Sequence, residues 1–526
     1  MKNFISTLVK RWQSLVNWQQ YLLFYFLILI FRLFYSFYAN NFGQDIARDL
    51  VLMANKLASG DWLIGYGPKA SVGNFYLAPL YYQLHLLLSA LTHNYAFVMK
   101  LFVVVVESAT PLVLYQILCL IQPKKQALAL ALLYTLSPLV TIFASFAWNP
   151  NTIPFLVTLA LWAMLRIVSG KFQGWEPLTA VLAITVALHF HYQAVVLLPF
   201  LLIVFVFSWR TQPALHKKWL LGLLFAFVTI LPYLLAEQFN GWQNTLAIQR
   251  YFTQEHSRYF DRVSKPDFVF KFIPGFFERV LINQQTPANL LGLLIVGVGF
   301  WQLVTLAWQN RKQPAHRWLL LYLLLILIML RIYKGDKVDY YMSTLYLAPV
   351  VLLAYIWQAV RWLGFAIILV VLFFAGHFYG RLERVDRHQE LVQSVEFITQ
   401  TLADRPARFV FYNNDDINTF VYGLQKYGQL NIDQSALLVV DICESGMACA
   451  WNGVAECNVS RGYTYAAILK KNSGYTSLAT QTIGQRGILI GTLQQQPTDW
   501  HYSLYTDDLS YGSDLLYQEL FETHLE

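Results

Sequence analysis

Apolar runs of about 20 residues, separated by short polar junctions, fill the chain from Trp18 to Gly380 and predict a bundle of about eleven membrane-spanning helices. The expected spans lie near 18–39, 95–121, 126–147, 152–170, 176–191, 193–209, 218–237, 289–308, 317–333, 340–358 and 362–380. The first run is too long for a leader, and its flank lacks a small-residue cleavage site, so it is expected to stay as an anchor. The run Phe75–Leu91 is short, holds Gln83 and His85, and would reverse every later junction if it crossed. It is therefore expected to be an interfacial or re-entrant helix against the outer face. After Arg381 the pattern changes to that of a soluble α/β domain of about 145 residues. The segments ARFVFYNND, SALLVVDIC, YTYAAILKK and GILIGTL predict short buried strands, and Gln389–Leu402 has helical periodicity. The expected organisation is a membrane domain over 1–380 followed by an α/β domain over 381–526.

Composition agrees with this division: 57% of residues are hydrophobic, 16% aromatic and only 13% charged, which is the profile of an integral membrane protein. The net charge of +8 matters less than where the basic residues fall. Lys124 and Lys125, Arg166 and Lys171, Arg210 with Lys217 and Lys218, Arg311 with Lys312 and Arg317, and Arg361 occupy alternate junctions. These junctions are expected to be cytoplasmic together with Lys2, Lys10 and Arg11. An odd number of crossings then puts the N-terminus inside and the 381–526 domain outside, in a plasma (inner) membrane. There is no basic tail for nucleic acid and no Walker or dinucleotide loop for nucleotide-driven transport. Cys443, Cys449 and Cys457 lie in the outer domain, where two of them are expected to form a disulfide. Asn458-Val459-Ser460 matches a glycosylation acceptor.

The first outer loop, Asn41–Tyr82, carries the chemistry. Asp45, Arg48 and Asp49 fall at i, i+3 and i+4 and share one face if the segment is helical. An ordinary solvated turn with an internal ion pair gives the same spacing. Cations able to meet a phosphate on the outer side are Arg32, Lys100, Arg331, Lys334 and Lys337. Lys100 and Glu107 lie inside an expected span, where an unpaired charge costs at least about 2.5 kcal/mol, so they must face protein or water. For Glu107 a structural pair with neighbouring spans is the favoured reading. His189 and His191 end a span, and i, i+2 spacing on a helix would point them about 200° apart, which argues against one shared metal. Trp148 and Asn149 sit at another outer turn, where an indole either stacks on a sugar or belongs to the interfacial belt. The long Asn240–Pro287 connection is either a binding element or a surface helix in the headgroups.

Gln44-Asp45-Ile46-Ala47-Arg48-Asp49, then Gly60-Asp61, Gly65-Tyr66-Gly67-Pro68 and Phe75-Tyr76-Leu77-Ala78-Pro79-Leu80-Tyr81-Tyr82 follow one another at one membrane face. This order resembles the GT-C glycosyltransferases related to protein O-mannosyltransferases and to the lipid A aminoarabinose transferase. The resemblance covers the membrane part and implies a GT-C-like helical fold. It also implies transfer of a sugar from a polyprenyl-phosphate donor to a lipid, glycan or protein acceptor. The family's catalytic carboxylate corresponds to Asp45. Many relatives carry an Asp-Glu pair where this chain has Asp45-Ile46, so a second carboxylate is either Asp49 or absent.

In an inverting transfer the acceptor hydroxyl attacks the anomeric carbon in one step, so one carboxylate must orient it and take its proton. Asp45 is the candidate base. The departing lipid phosphate needs cations or amide donors, so no metal cofactor is required, although a carboxylate–histidine set could bind a divalent ion. Arg48, Tyr82, Trp148, Asn149, His189, His191 and Tyr340 are the candidates for contacting substrate. A polysaccharide polymerase or ligase, or a lipid-linked sugar transporter, would share many spans. The former would be expected to use loop arginines and the latter two symmetric halves. The orientation is tested by a reporter fused after Arg381, which should be active only in the outer compartment; activity in the cytoplasm would overturn the assignment.

Overall fold

A computed structural model describes residues 17–70, 75–253, 264–284, 286, 288–310, 312–332, 339–411, 414–428, 436–444, 476–483, 486–492 and 494. Helix dominates them, as expected for a helical polytopic membrane protein with a C-terminal α/β part. The chain separates into two compact units, Met1–Phe37 with Asp61–Glu383 and Tyr38–Gly60 with Arg384–Glu526. The hydrophobic pattern places one boundary near residue 380; the fold also moves the start of the first loop into the second unit.

In the first unit, eight helices among the described residues are long and apolar enough to cross a bilayer, or nine if one bent pair counts as a single span. All eleven expected runs are helical, and the three that are not single long helices are broken, short or bent for local reasons. The run near 126–147 breaks into Lys124–Leu136 and Pro138–Phe143, because Ser137, preceding a proline, is extended at φ −60°, ψ 122°. The run near 176–191 forms a helix of only 15 residues, Glu176–Phe190, because His191 is extended at φ −158°, ψ 134°. The run near 340–358 is the bent pair, Asp339–Leu345 and Ala348–Ala359, at 47°. Leu80–Leu91 is a 12-residue helix, roughly 18 Å long and too short for the hydrocarbon core, in line with the interfacial reading.

Apolar side chains face outward where lipid would lie. Phe26, Leu27, Ile30 and Phe34 are exposed on Asn17–Tyr38, and Leu220, Leu224 and Phe227 on His216–Phe239. Such a face is unfavourable in water and costs nothing against lipid tails. Polar groups turn inward and bond backbone: Ser36 Oγ donates to the Ser145 carbonyl at 2.7 Å, and Gln122 Nε2 to the Ala354 carbonyl at 2.6 Å.

The second unit contains two β-ladders. Strands β1 (Ala39–Asn40) and β2 (Val385–Asp386) pair in parallel. Strands β3 (Arg408–Phe411), β4 (Leu438–Glu444), β5 (Thr476–Ile483) and β6 (Arg486–Thr492) form a sheet in the order β3-β4-β6-β5. The β3–β4 pair is parallel and the other two are antiparallel. Three of the expected strands correspond to β3, β4 and β6; YTYAAILKK lies outside the described residues, as do Cys449, Cys457, the Asn458 acceptor and the side chain of Cys443. Strand β5 escapes the hydrophobic pattern because its residues are mostly exposed. Helices Arg387–Leu402 and Asn414–Tyr427 pack so closely that a Cβ on Gly423 would come within 2.8 Å of Val395.

A tighter approach occurs in the first unit at Gly292, where a Cβ would lie 1.9 Å from the Pro274 carbonyl oxygen. Since the obstacle is backbone, Gly292→Ala should force helices Leu290–Leu294 and Ile273–Ile282 apart and cost about 1–3 kcal/mol. Gly297 has no atom within 4 Å of such a Cβ, so Gly297→Ala is the control. Thermal unfolding in detergent should show a lower midpoint for the first variant only; equal midpoints would contradict this packing.

Candidate active site

The carboxylates predicted from spacing sit on the amphipathic helix Gln44–Ser59 in the second unit. Gly43 precedes it in extended conformation, and Gly60 ends it at φ 70°, a left-handed value that glycine adopts without strain. Ile46, Ala47, Leu50 and Met53 are buried. Arg48 bridges the two acids, its Nη1 2.7 Å from Asp45 Oδ1, and its Nη2 and Nε 2.8 and 3.0 Å from Asp49 Oδ1. The acids differ in access: the Asp45 side chain is 40% exposed and that of Asp49 only 5%. One is oriented yet reachable; the other is locked inside.

In the first unit, Arg32 is buried, with its guanidinium 3.9 Å from the Glu107 carboxylate. Glu107 also accepts from the Phe155 N–H and the Thr110 hydroxyl, each at 2.9 Å, so it is the expected structural pair with neighbouring helices. Lys100 is buried too; its ammonium donates to the Ser36 carbonyl at 3.1 Å and lies 5.0 Å from the Phe97 ring and 5.5 Å from Phe37. These cations hold helices together in this structure. Arg331 lies in the last turn of Pro314–Ile332, 5.9 Å from the ring of Phe268. Lys334 and Lys337 lie outside the described residues.

Several substrate-contact candidates meet in an aromatic cluster of the same unit. Trp148 is 4.3 Å from Tyr340, which is 4.2 Å from Tyr341. Tyr341 lies 5.0 Å from His191, and His191 stacks on Tyr192 at 4.7 Å. Because His191 is off the helix, the helical angle expected between it and His189 does not apply; its Nδ1 accepts from the Gln193 N–H at 3.3 Å. His189 Nδ1 instead accepts from the Leu80 N–H at 3.4 Å, at the start of the helix carrying Tyr81 and Tyr82. Tyr82 is buried, 5.7 Å from Tyr81. Asn149 is spent on structure, its amide donating to the Phe190 carbonyl at 2.6 Å. The structure thus gathers Trp148, Tyr340 and His191, and sets His189 beside the Leu80 helix.

Two polar anchors were not among the candidates. Arg279 binds Asp339, with Nε and Nη2 each 2.9 Å from Oδ1, fixing the start of the segment that carries Tyr340 and Tyr341. Glu237 accepts from the Tyr66 hydroxyl at 2.7 Å and from the N–H and hydroxyl of Thr245 at 2.6 Å each. Burial, with Glu237 beside it, pushes the Tyr66 phenol up to about 12, so it stays protonated and donating. The signal was an acid in an apolar run: Glu237 ends one, and a buried carboxylate requires donors.

Residues 77–235 match the family described as dolichyl-phosphate-mannose-protein mannosyltransferase. In structure the chain is similar to ArnT from Cupriavidus metallidurans bound to undecaprenyl phosphate, with a TM-score of 0.54 and 14% identity, covering 89% of this chain and 97% of that one. The Archaeoglobus fulgidus oligosaccharyltransferase, in a complex with zinc and sulfate, matches with a TM-score of 0.46 and 11% identity, over 87% of this chain and 72% of that one. No curated protein sequence matches. The likeness to ArnT is one of fold, and the family match lies within the membrane part of the chain.

The Arg48 bridge makes a stability prediction. Arg48→Ala removes two charge-assisted hydrogen bonds from the buried Asp49 carboxylate and should cost about 1–3 kcal/mol, whereas Asp45→Ala, at a partly exposed site, should cost about 1 kcal/mol or less. Adding Asp49→Asn to Arg48→Ala should recover part of the loss. Denaturation midpoints of the full-length variants decide it; equal losses for the two single changes would contradict the assigned asymmetry.

Proposed function

We propose that the protein moves a sugar from a polyprenyl-phosphate donor to an acceptor hydroxyl on the outer side of the membrane, with inversion, and that Asp45 is the general base. The observation that carries this reading is the unequal pair of carboxylates on one arginine. Asp45 keeps an accessible face while Arg48 fixes its rotamer, as a base that must meet an incoming hydroxyl requires. Asp49 is buried and serves to hold Arg48.

The acceptor oxygen forms a bond to the anomeric carbon as the carbon–oxygen bond to the lipid phosphate breaks. The acceptor proton passes to Asp45, and the phosphate oxygen keeps the bonding electrons. The donor class is supported by the undecaprenyl phosphate bound to the structurally similar ArnT. Arg331, Lys334 and Lys337 are the cations proposed for the leaving phosphate, and Trp148 and Tyr340 offer ring faces for a sugar. The acceptor is a lipid, glycan or protein hydroxyl. This reading places the N-terminus in the cytoplasm and the C-terminal domain outside, following the alternating basic junctions.

Asp45→Asn should leave donor binding within about twofold and reduce turnover at least about a hundredfold. Replacing Arg331, Lys334 or Lys337 should weaken donor capture as well as rate, because a phosphate contact serves ground state and transition state alike. If Asp49→Asn is inactive while Asp45→Asn turns over normally, the base is the other carboxylate; if both turn over normally, the transferase reading fails.

A further inference from the structure

The helix that carries Asp45 is built into the C-terminal α/β unit, although it directly follows the first membrane span in sequence. Three contacts inside that unit fix its entry. Ala39 and Asn40 pair in parallel with Val385 and Asp386. Asn40 Nδ2 donates to Asp386 Oδ1 at 2.7 Å, and the same oxygen caps helix Arg387–Leu402 by accepting from the Gln389 N–H at 3.1 Å. Phe42 is buried, its ring 5.2 Å from that of His388 and 5.4 Å from that of Tyr422.

Those partners are themselves tied together. His388 Nε2 is 2.9 Å from the Tyr427 hydroxyl, and the hydroxyls of Tyr422 and Tyr427 are 3.5 Å apart. Beyond Gly43, the helix Gln44–Ser59 packs along Asn414–Tyr427. Phe42 is three residues before Asp45, so a displacement of its ring moves the first turn that bears the carboxylate.

We propose that the C-terminal α/β domain is the scaffold that sets the position of the catalytic carboxylate, with Asn40 and Phe42 as positioning residues acting through the first turn of Gln44–Ser59. This rests on the assignment of Asp45 as the base. It gives the domain a direct part in the reaction without contact with substrate. A base displaced by about 1 Å loses on the order of a hundredfold in rate while substrate binding persists.

The test uses the full-length protein in detergent, the variants Phe42→Ala, Phe42→Tyr and Asn40→Ala, and two readouts. Hydrogen exchange of the Gln44–Ser59 amides should rise in Phe42→Ala, with exchange in the membrane helices unchanged. In the same variant kcat should fall tenfold to a hundredfold, with KM for a polyprenyl-phosphate sugar within about twofold. Phe42→Tyr, which keeps a ring, should recover most of both. Asn40→Ala leaves Phe42 and the Asp386 cap in place and should lower kcat by a smaller factor, so it serves if Phe42→Ala does not fold. Unchanged exchange, or raised exchange with full kcat, would overturn the proposal. Full turnover by Asp45→Asn would instead remove the base assignment, leaving exchange alone to report whether the domain holds the helix.

Discussion

A charge buried in a bundle of apolar helices must be answered by other groups, and this constraint shapes much of the molecule. An unanswered charge at membrane depth costs at least about 2.5 kcal/mol, a large share of the stability a domain retains. Arg32 lies beside Glu107, which also takes an amide and a hydroxyl. Lys100 closes on the Ser36 carbonyl under two phenylalanines. Glu237 gathers Tyr66 and Thr245, and the part-exposed pair of Arg279 and Asp339 follows the same rule at lower cost. These contacts join segments distant in sequence, so the charges that are costly to bury also set which helices meet.

The same logic separates the two acids of the first loop. Arg48 satisfies both, but Asp49 has been drawn into the packed face while Asp45 remains at its edge. A fully buried carboxylate contributes architecture, and a fully exposed one moves freely. Asp45 is held by Arg48 and still reachable, the property on which its proposed role as proton acceptor rests. In the first unit, the aromatic run through Trp148, Tyr340, Tyr341 and His191 provides stacked surfaces, and Arg279 holds the strand of chain on which two of them lie.

Much of this was readable from residue order alone, because a bilayer-length apolar run has few other uses. The runs near 18–39, 95–121 and 218–237 appear as helices near their expected ends. Interruptions within the runs were not legible, because local backbone geometry sets them: Ser137 before Pro138 breaks one run, and the extended His191 ends another. The i, i+3, i+4 spacing of Asp45, Arg48 and Asp49 correctly put them on one face. What it could not reveal was the attachment of their helix, since Asn40 meets Asp386 across 346 positions. Pairing over such a distance leaves no periodic trace. The edge strand β5 was missed for a related reason: its exposed face breaks the alternation by which a half-buried strand is recognised.

The central claim is that a sugar is displaced from a lipid phosphate in a single step. The most direct measurement is the anomeric configuration of the product, read by NMR after the purified full-length protein has consumed a polyprenyl-phosphate sugar of defined anomer. Single-step attack by an acceptor hydroxyl activated by one carboxylate predicts a product of opposite configuration and stoichiometric release of polyprenyl phosphate. Retained configuration would require a second displacement and would contradict the account.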